Sequence, residues 1–237
     1  MSLLLRRRAL LATASATVPS DVSGFVGSTL YPASGTLVSS FDLDVPSEAD
    51  EGQLLVAVIL AGSTGETFEA AGWTLQVREG AGTNHPVLHL LTKFVGASEP
   101  SDHTFTLTSG TARVAASMLA FGSAAPGNVA SNNDSNFSAR HTTPDVTVDV
   151  DGSFLLNVWG AYRTGRGGYW PTPDSPFLVR ANTPVDPETG TDLPSLMIAS
   201  KPRDAGTASG TELRVDGMDG EGTHTRFSGI AFVVDPD

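Results

Sequence analysis

The stretch DEGQLLVAVILAG (50–62) decides the fold. An acidic turn ends in Gly52, and an unbroken apolar run then extends from Leu54 to Ala61 before Gly62 closes it. The run falls far short of the roughly 18 residues that a membrane-spanning helix needs. Rich in β-branched residues and bounded by turn residues, it reads as a strand buried on both faces. A second stretch, DVDGSFLLNVWGA (149–161), has the same layout: acidic turn, glycine, then an apolar strand.

Working outward, the parallel continues. HLLTK (89–93) resembles LMIASK (196–201), and SMLAF (117–121) resembles SGIAF (228–232), in the same order. The sequence therefore predicts two related halves, about 24–123 and 145–235, within one domain over 21–237. Strands are expected at 24–30, 36–45, 53–61, 73–79, 87–95, 103–108 and 112–121. A second set is expected at 145–150, 153–162, 177–181, 195–201, 212–216 and 227–235. No ten-residue window after residue 20 shows helical periodicity. Short strands with turn signals between them predict an all-β antiparallel sandwich, jelly-roll-like, with the halves intimately paired. The polar, turn-rich segment 124–144 reads as the connection between halves.

Composition agrees. Charged residues make up 17% of the 237 residues, while glycine (25) and proline (15) are plentiful and cysteine is absent. There is no disulfide framework and no thiolate chemistry. The formal net charge of −12 repels phosphate backbones, which disfavours nucleic acid as a partner.

Residues 1–20 differ from the rest. Leu3, Leu4 and Leu5 precede Arg6, Arg7 and Arg8, and Ala14-Ser15-Ala16 follows a thin apolar stretch. A secretion signal places its apolar core after the charge; here the strongest triplet lies before it. The preferred reading is an arm whose leucines and arginines dock onto a partner. A cleaved export signal is the rival.

Catalytic motifs are missing: there is no nucleophile elbow, zinc-binding helix motif or phosphate loop. No cofactor and no metal are expected. His85 and His89 share a strand face and read as exposed edge histidines. The acidic residues around Val45-Pro46 read as a solvated rim, and SNNDSN (131–136) as a loop. The most suggestive stretch is YRTGRGGYWPTPDSP (162–176). Tyr162, Arg163, Arg166, Tyr169 and Trp170 there combine aromatic faces with guanidinium groups, a pairing suited to sugars or partner side chains. Trp73 and Trp159 sit in strand patterns and read as core.

Between them, EGQLLVAVILAG, AAGWTLQVREG, LHLLTKFVGASEPSDHTFTLTSG and AASMLAFGS resemble a β-sandwich module of bacteriophage and prophage structural proteins, of the tail-fibre or head-decoration kind. This chain departs from that layout in lacking a second Gly-Trp-Thr; Phe177-Leu178-Val179 stands in its place. The resemblance implies a virion component with a binding or cementing role. Together with the arm and the lack of a catalytic constellation, it leads to the expectation of a non-enzymatic virion surface protein, partnered with capsid or tail proteins and, as a homo-oligomer, with further copies of the chain, and in contact with host-surface glycans. The alternative expectation is a secreted bacterial carbohydrate-binding module.

Overall fold

The computed structural model describes residues 24–31, 36–62, 67–80, 86–138, 140–162, 177–182, 194–214 and 225–237; at 134–138, 140, 162, 212–214, 225 and 226 it describes backbone only. Among these residues the fold is all-β. The first part of the chain forms β1 (Phe25–Tyr31), β2 (Ser40–Asp44), β3 (Leu54–Gly62), β4 (Phe68–Glu69), β5 (Thr74–Glu79), β6 (Pro86–Phe94), β7 (Asp102–Leu107) and β8 (Arg113–Phe121). The second forms β9 (Ala124–Ser138), β10 (Arg140–Thr142), β11 (Val146–Val148), β12 (Ser153–Tyr162), β13 (Leu178–Asn182), β14 (Pro194–Arg203), β15 (Gly206–Ala208), β16 (Glu212–Arg214) and β17 (Thr225–Pro236).

Two five-stranded antiparallel sheets dominate. Their orders are β1-β8-β3-β6-β5 and β9-β17-β12-β14-β13, the same arrangement met twice along the chain. A three-stranded sheet, β2-β7-β4, covers the outer face of the first. The pairs β10-β16 and β11-β15 cover the outer face of the second. The result is a stack of four layers.

The alternation along β3 explains the stack. Leu54, Val56, Val58 and Leu60 point into the central core, where they meet Phe154, Leu156, Val158, Ile198, Ile230 and Phe232 of the other large sheet. Leu55, Ala57, Ile59 and Ala61 point the opposite way, onto Phe41, Phe68 and Phe105 of the small sheet. Every residue of β3 is buried. Antiparallel sheets usually leave one face to water; here both faces are covered, so the strand reads as one continuous apolar run. The turn glycines before β3 and β12 carry out matching tasks: Gly52 has φ +83° and Gly152 φ +80°, a left-handed conformation that a side chain would strain.

The halves meet closely. Gly160 lies so near Leu60 and Leu88 that an added Cβ would sit 2.7 Å from one Leu60 methyl. The Phe121 and Phe154 rings are 6.2 Å apart. Since Phe121 pairs with Leu54, β3 and β12 run side by side in the same direction.

One expectation is corrected. Residues 124–138 are not a connection but the longest strand, β9, at the edge of the second sheet and paired with β17. Its two faces are both anchored. Val129 packs on the central core and Ala130 on the outer one. Ser131 and Asn133 donate to Glu79, while Asn128 donates to the Thr147 carbonyl and the Asp149 carboxylate and Asn132 to the Thr142 carbonyl.

Candidate functional site

The stack has two unlike ends. At one, Leu54 faces Phe94 and Phe121, and Ser153 faces Arg203. The chain enters β1 here, with the Gly24 carbonyl accepting from Gly122 N at 2.8 Å. Exposed Glu48, Asp50, Glu51, Asp149, Asp151 and Asp204 crowd the adjoining turns. At the other end, Gly62 lies between Pro86 and Arg113, and Tyr162 between Pro194 and Arg226. Ser228 donates to the Pro86 carbonyl at 2.7 Å and ties the two rows together. The nine residues of β3 separate the ends by about 27 Å at about 3.4 Å per residue.

Tyr162 is thus the last residue of β12, in the backbone row farthest from the entry of the chain. Arg163, Arg166, Tyr169 and Trp170 lie outside the described residues, as do Leu3, Leu4, Leu5, Arg6, Arg7, Arg8, His85 and His224. Asn132 and Asn133 of the SNNDSN stretch belong to β9 and bond to their own chain.

A cleft of about 300 Å³ lies between the edges of two layers. β4 is the outer strand of the small sheet and β5 the outer strand of the large one. Phe68 and Leu91, both buried, make the floor. Ala70, Trp73 and Leu75 make the walls, and Thr67 and Glu69 the rim. The local sequence sets this geometry. Trp73 N donates to the Ala70 carbonyl at 3.2 Å, closing a tight turn with Gly72 at φ +79°. A bulge between Leu75 and Val77 shifts the register of β5 and leaves Leu75 41% exposed. Trp73 is only partly buried, whereas Trp159 is fully buried. The strand pattern placed both in the core; the bulge that opens the cleft has no hydrophobic signature, although Gly72 beside Trp73 marks the turn that aims the ring.

Below the cleft the polar groups are occupied with structure. The Trp73 ring stands edge-on to His103, centroids 5.2 Å apart. Glu99 accepts from His103 Nε2 at 2.6 Å, from Gly96 N at 2.7 Å and from Lys93. Burial pushes the Glu99 carboxyl up, but the hydrogen bonds from Lys93, Gly96 and His103 outweigh it, and its pKa falls below the ordinary 4.5. In the second half Phe177 takes the place of Trp73, with the Lys201 ammonium 4.1 Å from the ring centroid. Burial first, and then the neighbouring Arg203 charge, lower the Lys201 pKa.

His89 corrects another expectation. It is not an exposed edge histidine but a fully buried residue of β6, edge-on to Phe68 at 5.5 Å. His141 is likewise buried, stacked on Phe227 at 4.6 Å. Among the described residues no three histidine or carboxylate groups converge as metal ligands. A buried polar group on the outer face of β12 is self-contained. Asn157 accepts from Thr143 and donates to Thr211, and Trp159 Nε1 donates to the Thr211 carbonyl.

Comparison of the chain with protein-family models, with curated proteins and with solved structures returns no significant match.

Proposed function

We propose that this chain is a non-enzymatic surface protein of a bacteriophage particle, a head decoration or fibre component anchored by residues 1–20. The observation that carries this reading is the polarity of the stack. The described chain enters β1 from Gly24, and the Tyr162 row lies a full strand length away. An anchored molecule would direct the backbone row of Tyr162 outward toward a host surface and its glycans. The four-layer core supplies a stiff spacer between anchor and tip. The strand pattern resembling phage sandwich modules supports the same assignment, with capsid or tail proteins and further copies of the chain as partners.

Mass spectrometry of purified particles tests it. The chain is expected in stoichiometric amounts, and a variant lacking residues 1–20 is expected to fold yet be lost from particles. A chain absent from particles, or one retained without its first twenty residues, overturns the reading.

The second reading, a secreted carbohydrate-binding module with a cleaved leader, is favoured by the Trp73 cleft. N-terminal sequencing from the native host separates the two: a mature start near Thr17 supports the secreted module, and retained Leu3–5 and Arg6–8 support the arm.

A further inference from the structure

We propose that the cleft between β4 and β5 binds a neutral sugar, one pyranose unit of a longer glycan. The inference deepens the reading of the chain as a binding protein and rests on it; it adds a site on the side of the stack, distinct from the Tyr162 end. The shape argues for one ring: about 300 Å³ is the lower bound of ordinary ligand pockets, about 300–1,000 Å³. The lining argues for its chemistry. A pyranose has an apolar C–H face and hydroxyls around its edge. The cleft offers Phe68, Leu91 and Leu75 with the indole of Trp73 as an apolar lining for the face, and Thr67 and Glu69 as polar residues of the lining. Aromatic rings and a few placed polar groups are the usual means of orienting such a ligand.

Charge narrows the choice. The lining holds one carboxylate and no base, on a chain of net charge −12, so acidic sugars and phosphates are repelled. A long acyl chain would need more volume and would bring apolar carbon against Glu69. The position also fits. β4 and β5 are both outer strands, so a glycan continuing past the bound ring runs into solvent.

The three tryptophans of the chain allow a direct test. The full chain labelled with 5-fluorotryptophan gives three fluorine resonances, assigned by single Trp→Phe variants, and is titrated with neutral methyl glycosides and neutral oligosaccharides. The Trp73 resonance is expected to shift saturably with a dissociation constant of about 1 mM for a single ring, as weak single-site contacts give. The Trp159 resonance should stay still. Leu75→Arg, at an exposed wall position, is expected to weaken binding at least about tenfold by filling the cleft, as a blocked pocket requires. Glu69→Gln, on the exposed rim, is expected to weaken it several-fold while the fold persists.

No movement up to about 50 mM, well beyond that range, overturns the proposal. So does movement of Trp170 in place of Trp73, or an affinity that Leu75→Arg leaves unchanged. An equal response to a sialic acid or to a straight-chain alcohol overturns the neutral-sugar assignment. Particle association is scored separately: a chain that binds sugar but is absent from particles removes the phage reading and leaves the cleft standing, while the reverse removes the cleft alone.

Discussion

Glu99 holds the turn before β7 with one carboxylate, accepting from a lysine, a histidine and a backbone amide. Its side chain is only 10% exposed. Glu99→Gln keeps the shape but loses the charge, and is expected to cost about 1.5–3 kcal/mol, the range for hydrogen bonds to a charged group. The pH dependence has a definite sign. The folded-state pKa is lowered from 4.5, so the carboxylate contributes its stability above the unfolded value and loses it as pH falls through the folded one. Wild type and Glu99→Gln should therefore differ in Tm at pH 7 and converge in acid below pH 4.5. A gap that persists unchanged in acid contradicts this. At this scale the sequence is uneven as a guide. Ser98-Glu99-Pro100 shows a turn, but nothing local tells that Lys93 and His103 converge on Glu99. The full burial of Trp159 is legible in its strand; the burial of His89 is not, because a histidine on an alternating strand looks the same on either face until the layer above it is known.

The elements that carry the fold are β3 and β12, and their contact is set by what is missing at Gly160. A Cβ there would come within 2.7–3.0 Å of Leu60 and Leu88. Gly160→Val is expected to destabilise by about 1–3 kcal/mol or more, the cost of overpacking a closed core, measured by denaturant unfolding; a neutral effect would show that the layers are free to separate locally. The apolar runs made β3 and β12 readable, because a strand buried on both faces has only one way to look. β9 was unreadable for the opposite reason. Its alternation is between polar partners, Asn128 and Asn132 on one face and Ser131 and Asn133 on the other, so hydrophobicity has no period to show. Ser131→Ala with Asn133→Ala removes the two donors to Glu79. The pair is expected to cost about 1–3 kcal/mol, as two lost hydrogen bonds, and to speed amide exchange along β9 while leaving β3 protected. Uniform exchange across both strands would contradict the edge assignment.

The whole molecule is two similar halves that share their largest apolar surface. Leu54, Val56 and Val58 of one half share a single buried core with Phe154, Leu156, Ile198, Ile230 and Phe232 of the other. The halves are therefore expected to unfold together, with the Trp73 and Trp159 signals giving coincident transitions. Residues 24–123 expressed alone should aggregate through the exposed sheet face. Two separated transitions would show that each half stands without its partner. The all-β sandwich-like class was legible from the doubled buried run and the turn spacing. The four-layer arrangement was not, since sequence shows that both faces of β3 are covered without showing by what. The candidate binding residues were readable only as chemistry: the aromatic and arginine segment after Tyr162 stood out by composition, while the Trp73 cleft arises from two layer edges and a bulge distant in sequence from one another.

The polarity of this stack is open to a cryo-electron microscopy map of the intact particle. Four-layer β density is expected on the particle surface, with the Gly24 end against the shell or tail and the Tyr162 row about 27 Å farther out, as strand rise requires. Density in the reverse orientation, with the Tyr162 row buried in the particle, or particles without this density at all, would contradict it.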